Sequence, residues 1–130
     1  MVNPAFQKPL LVIEDDSFLA KAYKLRFEKE GLKTDIAANG NEALSMLEGS
    51  PPSAVILDIL LPGKSGFELL EAMRSREGWM DIPIIVVSNL SKDADLKRSF
   101  GLGATDYVVK ADVELSDVVR IVLRHLMHLH

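Results

Sequence analysis

Five side chains carry the chemistry available in this sequence: Glu14, Asp15, Asp58, Ser88 and Lys110. Each lies at the end of a short apolar run. Pro-Leu-Leu-Val-Ile runs into Glu14 and Asp15, and Ile-Pro-Ile-Ile-Val-Val ends in Ser88. Tyr-Val-Val ends in Lys110, and Asp58 is the only non-apolar residue from Ala54 to Leu61. A carboxylate inside such a run is costly unless something pairs with it. Three carboxylates at one rim repel one another and need protons or a cation to coexist. A hard divalent ion such as Mg²⁺, which takes oxygen ligands and keeps several waters, meets that need. Lys110 and the Ser88 hydroxyl would then face a further anion. Taken singly, each residue also reads as an ordinary polar strand end; four such ends in one chain are harder to set aside.

The elements that must position these groups follow from the apolar pattern. Short apolar runs closed by turn residues read as strands buried on both faces, as in a parallel sheet. They cover residues 9–14, 54–58, 82–88 and 105–110, with a weaker strand at Thr34 to Ala37. Pro62 and Gly63 stop the third run just after Asp58. Asp16 or Ser17 can cap a helix to about Glu30, with Phe18, Leu19, Ala22, Leu25 and Arg26 near one face and Gly31 as its stop. Asn39-Gly40 turns the chain into a short helix over 41–48. Further helices are expected from Ser65 to Arg76, from Ser91 to Phe100 with few apolar anchors, and from about Asp112 onward. Five strands alternating with five helices mean βαβ units. The expected fold is a doubly wound, five-stranded parallel sheet in the order 2-1-3-4-5, a flavodoxin-like three-layer sandwich. Its switch point falls between the strands that end at Glu14-Asp15 and at Asp58, where open α/β sheets place their sites.

Composition bounds the alternatives. The 130 residues suit a single domain, 1–130 with a core of about 8–128, and their 48% apolar and 26% charged content is that of a globular protein. A net charge of −4 without a basic cluster argues against a nucleic-acid surface. The absence of cysteine excludes disulfides, thiol catalysis and cysteine-bound metals. No apolar run approaches a membrane span, and Met1 to Lys8 lacks the apolar middle of a secretory signal, so the expected location is cytoplasmic.

Four motifs, in this order, resemble the receiver domain of bacterial two-component response regulators, in the manner of the chemotaxis regulators. They are Val-Ile-Glu-Asp-Asp, Ile-Leu-Asp-Ile-Leu-Leu-Pro-Gly-Lys-Ser-Gly, Ile-Pro-Ile-Ile-Val-Val-Ser and Gly-Ala-Thr-Asp-Tyr-Val-Val-Lys. The resemblance covers nearly the whole chain. It implies that Asp58 accepts a phosphoryl group from a histidine kinase or phosphotransfer protein. It implies that Asp15, Asp58 and the Leu60 backbone carbonyl bind Mg²⁺, with Glu14 acting through water. Lys110 and Ser88 would contact the phosphoryl group, and Ser88 and Tyr107 would form the switch. The signal would leave through the surface of the fourth helix, fifth strand and fifth helix, to a downstream protein or a second copy of the chain. Asp16 reads as the helix cap rather than a ligand. Such a domain is a phosphoacceptor with weak self-phosphorylation and self-dephosphorylation chemistry, not an enzyme that turns over a metabolite.

The sequence departs from the family pattern in places. Asn89 follows Ser88 where a small residue is usual, and Ala111 follows Lys110 where Pro is common, so a trans bond is expected there. No output domain is expected in the residues after Lys110. Two rivals stay open: a phosphatase or hydrolase using Asp58 as nucleophile, and a degenerate receiver serving only as an interaction module. Gly63-Lys64-Ser65 imitates the end of a phosphate-binding loop, but the glycine needed five places earlier is Asp58. His125, His128 and His130 read as a solvated helix end. In the last helix Leu115, Val118, Val119, Val122 and Leu126 form a core stripe. Ile121, Leu123, Met127 and Leu129 fall outside it and are assigned to the output surface.

Overall fold

Leu10–Ile13, Ala54–Leu57 and Ile84–Ser88 are strands buried along their whole length, as uninterrupted β-rich apolar runs require. They are β1, β3 and β4 of a computed structural model that describes residues 4–127. Thr34–Ala37 is β2 and Asp106–Val109 is β5. All neighbouring strands run parallel, in the order β2-β1-β3-β4-β5. Alternate residues serve opposite faces. Leu11, Ile13, Val55, Leu57, Ile84 and Val86 pack on one side, and Leu10, Val12, Ala54, Ile56, Ile85 and Val87 on the other.

The first side is covered by Gly40–Met46 (α2), Gly66–Arg74 (α3) and Asp93–Gly101 (α4). The second is covered by Ser17–Lys29 (α1) and Leu115–Leu126 (α5). The caps place the helices. The Asp16 carboxylate accepts from the Phe18 and Leu19 N–H groups, Asn39 accepts from Glu42 N, and Ser65 from Phe67 N. Asn39-Gly40 is therefore a helix start rather than a turn. Asp16 is the cap of α1, as its sequence position suggested.

Further sequence expectations differ from the structure at α1, α5 and His125. In α1 the buried residues are Ala20, Tyr23 and Phe27, whereas Phe18 is 88% and Leu25 74% exposed. The helix has two apolar stripes. The one holding two large aromatics, with ring centroids 6.5 Å apart, buries more surface and wins the sheet. In α5 the stripe Val118, Val119, Val122 and Leu126 is buried as expected, but Leu123 and Met127 face α1. They line a groove against Arg26 and Glu30 of α1, whereas Ile121, one turn before His125, packs partly buried against the core. His125 is held rather than solvated, its Nε2 standing 3.1 Å from Asp106 Oδ2. His128, Leu129 and His130 lie outside the described residues.

One polar network ties the far end of the sheet. Arg74 donates to the carbonyls of Gly103, Trp79 and Ile82 at 2.7–2.8 Å and to the Thr105 hydroxyl at 3.2 Å. Burial pulls its guanidinium below the usual value, and Asp81 opposes this through space. By contrast α4 is thinly anchored. Its only buried residue is Ser99, and Arg98 stacks over the Phe67 ring of α3 at 4.1 Å.

Candidate functional site

The carboxyl ends of β1, β3, β4 and β5 meet on one side of the molecule, and the five side chains arrive there by register. Ile13 pairs with Leu57, Leu57 with Val86, and Ser88 with Val109. The next residues along β1, β3 and β5 are Glu14, Asp58 and Lys110, and β4 ends at Ser88 itself. Lys110 does not extend its strand as expected; it opens a 3-10 turn, Lys110–Asp112, that turns its stem back over the site. The peptide bond to Ala111 is trans, as are the others among the described residues.

Glu14 and Asp58 are only 2% and 5% exposed, and Asp15 lies beside them in the open. One carboxylate oxygen from each of the three lies within 4.8 Å of the others. Lys110 Nζ reaches Glu14 Oε1 at 2.5 Å and Asp58 Oδ2 at 2.7 Å. Asp58 Oδ1 accepts from the Leu60 N–H at 3.0 Å, and Glu14 Oε2 from the Asp16 N–H at 3.3 Å. Burial pushes the Glu14 carboxyl up to about 7; Lys110 opposes this and Asp58 adds to it. Burial alone would pull the Lys110 ammonium down, but Asp58 and Glu14 together hold it above the usual value. One cation against three carboxylates leaves the rim negative, and its donors are hard oxygens. That donor set fits a Mg²⁺ ion.

The glycine at the start of α3 brings this strand end close to its helix. A Cβ on Gly66 would sit 2.5 Å from Ile59 Cα and 2.7 Å from the Asp58 carbonyl oxygen. Only glycine permits that approach.

Ser88 and Tyr107 meet at one residue of the loop after β4. The Ser88 hydroxyl, fully buried, accepts from the Leu90 N–H at 3.4 Å, and the Tyr107 hydroxyl donates to the Leu90 carbonyl at 2.6 Å. Asn89, the residue after Ser88, is exposed. Leu60, of the loop after β3, is 53% exposed. The structure thus gathers Glu14, Asp15, Asp58 and Lys110 into one cluster and places Ser88 and Tyr107 together beside it. Sequence reasoning missed Tyr23, which is buried behind Lys110. The signal was its spacing of four from Phe27, which marks the inward face of α1.

The family model described as the response regulator receiver domain matches residues 10–122. The chain belongs to the response regulator receiver domain family. Among curated relatives it is 36% identical over 101 residues to the transcriptional regulatory protein AfsQ1 of Streptomyces coelicolor, a match covering 78% of this chain and 44% of AfsQ1. The chain spans about half the length of the curated relatives it matches. Among solved structures it is similar to a CheY-like receiver domain protein from Methanospirillum hungatei. The TM-score is 0.82 at 26% identity, over 94% of this chain and 95% of that one. It shares its fold with the receiver domain of the sensor histidine kinase PA1611 from Pseudomonas aeruginosa, at TM-score 0.80 and 22% identity over 92% and 98% of the two chains. The PA1611 domain carries a magnesium ion in its active-site cleft. Receiver domains of this kind are signalling modules rather than metabolic enzymes. Among the described residues no helix is long and apolar enough to cross a membrane.

Proposed function

We propose that this receiver domain is a phosphorylatable switch with Asp58 as its phosphoacceptor. The observation that carries this reading is the setting of the Asp58 carboxylate. It is buried, held at one oxygen by Lys110 and at the other by the Leu60 N–H, and faced by Glu14 and Asp15. The phosphodonor is the phosphohistidine of a histidine kinase or phosphotransfer protein. An Asp58 oxygen attacks phosphorus, the P–N bond breaks, and the electron pair leaves with the imidazole nitrogen, giving an acyl phosphate. Mg²⁺ would be held by Asp15, Asp58 and the Leu60 carbonyl, with Glu14 through water, and would neutralise charge on the transferring oxygens; the PA1611 domain lends support. Lys110 keeps its ammonium on the same charge as it passes from carboxylate to phosphoryl oxygen.

Ser88 and Tyr107 then carry the response. Both bind Leu90, so a Ser88 hydroxyl drawn toward the phosphoryl group releases the Leu90 N–H and changes the loop that Tyr107 holds from the other side. The α4–β5–α5 surface follows, because α4 has so little buried anchorage. The receiver of that change is a downstream protein or a second copy of the chain, and the place of action is the cytoplasm. Any self-phosphorylation or self-dephosphorylation is weak and serves the switch. The exposed position of Asn89 weighs against the degenerate-receiver reading.

The test is incubation with Mg²⁺ and a small phosphodonor, followed by intact mass, with an adduct of about 80 Da expected. Asp58→Asn or excess chelator should abolish it. An adduct of equal yield in either case would refute Asp58 as the acceptor.

A further inference from the structure

Lys110 has three N–H donors, and two of them are taken by Glu14 and Asp58. On the α1–α5 side of its stem lies a small cavity of about 90 Å³, walled mostly by apolar groups such as Leu19, Val87 and Val118. Its polar lining is Tyr23, Lys110 and Glu114. Tyr23 is 2% exposed, so its hydroxyl needs a partner within the fold or a buried water. Tyr23 lines this cavity together with Lys110, beside space that water can enter. Its direction follows from helix geometry. α1 begins beside Asp15 and Asp16, and helical side chains lean toward their helix N-terminus, which aims the phenol at the site. Burial pushes that phenol up to about 12, and Lys110, Glu14 and Asp58 each act on it through space. A water takes about 30 Å³ and needs two to four polar partners, so the cavity has room for about three. The Tyr23 hydroxyl and the third N–H of Lys110 supply the partners.

We propose that Tyr23 is a positioning residue for Lys110: water held in this cavity joins the Tyr23 hydroxyl to the third N–H of Lys110 and fixes the ammonium over Asp58. The consequence for phosphoryl transfer rests on Asp58 being the acceptor; the water link itself does not. A lysine ammonium rides on a flexible four-carbon stem, and a third tether limits where it can go when its carboxylate partner changes.

Tyr23→Phe removes one oxygen and keeps the ring packed beside Phe27. The first measurement is proton exchange at the Lys110 ammonium in ¹⁵N-edited spectra of the unphosphorylated protein, with the urea midpoint as a control for folding. Exchange in Tyr23→Phe should be faster by about threefold or more, as expected when a bond to a charged group is lost, with the midpoint held. Unchanged exchange overturns the proposal. The second is a crystal structure of the wild type at a resolution that shows ordered water. A water within hydrogen-bond distance of both Tyr23 Oη and Lys110 Nζ is expected, and a dry cavity overturns the proposal. The third is the rate of adduct formation at Asp58, expected to fall about tenfold in Tyr23→Phe and no further when Lys110→Ala is already present. An equal fall in both backgrounds also overturns it. Absence of any adduct in the wild type would remove the phosphoacceptor reading and leave the first two measurements to decide the link.

Discussion

Replacing Lys110 by Ala removes the cation that touches both Glu14 and Asp58, at 2.5 Å and 2.7 Å. Among the described residues no other basic group pairs with either. Two carboxylates would then face each other within 4.8 Å, both almost fully buried. Unit charges at that separation repel by about 3.5 kcal/mol at an effective dielectric constant of about 20. Glu14, already pushed up to about 7, relieves part of that repulsion by taking up a proton. A loss of about 2–3 kcal/mol is expected for Lys110→Ala without metal, equivalent to roughly 10 °C in Tm for a domain of this size. Mg²⁺ should then return most of it, since a dication answers the charge that the lysine left behind. A ligand at a hundred times its Kd stabilises by about 2.7 kcal/mol. The Tm rise with Mg²⁺ should therefore be larger in Lys110→Ala than in the wild type. In Asp58→Asn, which keeps the Lys110–Glu14 pair and loses a carboxylate, it should be small. The assay is thermal and urea unfolding of the three proteins in chelator and in Mg²⁺. If Lys110→Ala is as stable as the wild type in chelator, or gains no more than the wild type from Mg²⁺, the charge balance assigned to this rim is wrong.

Two further outcomes are expected. Hydrolysis of an acyl phosphate needs a water in line with phosphorus, and the residues two places after Asp58 and Ser88 are Leu60 and Leu90, neither able to hydrogen-bond it through its side chain. The phosphoform should be long-lived, and Leu90→Asn should speed its decay by about tenfold or more, read as loss of the mass adduct; equal decay in both proteins would count against the argument. Gly66→Ala forces a Cβ to 2.5 Å from Ile59 Cα, so unfolding should show a loss of about 1–3 kcal/mol together with slower phosphorylation at the displaced Asp58. A variant with wild-type stability would mean that the approach of α3 to the Asp58 loop is not tight.

Much of this molecule is set by local pattern. Apolar runs of four or five residues can be satisfied only as strands buried on both faces, and their alternation with helical segments forces parallel pairing and a switch point. Asp58, Ser88 and Lys110 were therefore legible as groups at one rim, and Asp16 as a cap, because strand ends and caps are decided by the residues immediately around them. What the residues do to one another at the rim was not legible. That Lys110 spans Glu14 and Asp58, or that Ser88 and Tyr107 grip the same Leu90, depends on strands far apart in sequence lying side by side. The phase of α1 was undecided locally, since it carries two apolar stripes. Only packing against the sheet chose Tyr23 and Phe27 over Phe18 and Leu25. The same holds for Leu123 and Met127, drawn into a groove with α1, and for His125, which meets Asp106 across the gap between α5 and β5. Periodicity says that a side chain has a face; which neighbour it finds there is a long-range fact that only the closed fold supplies.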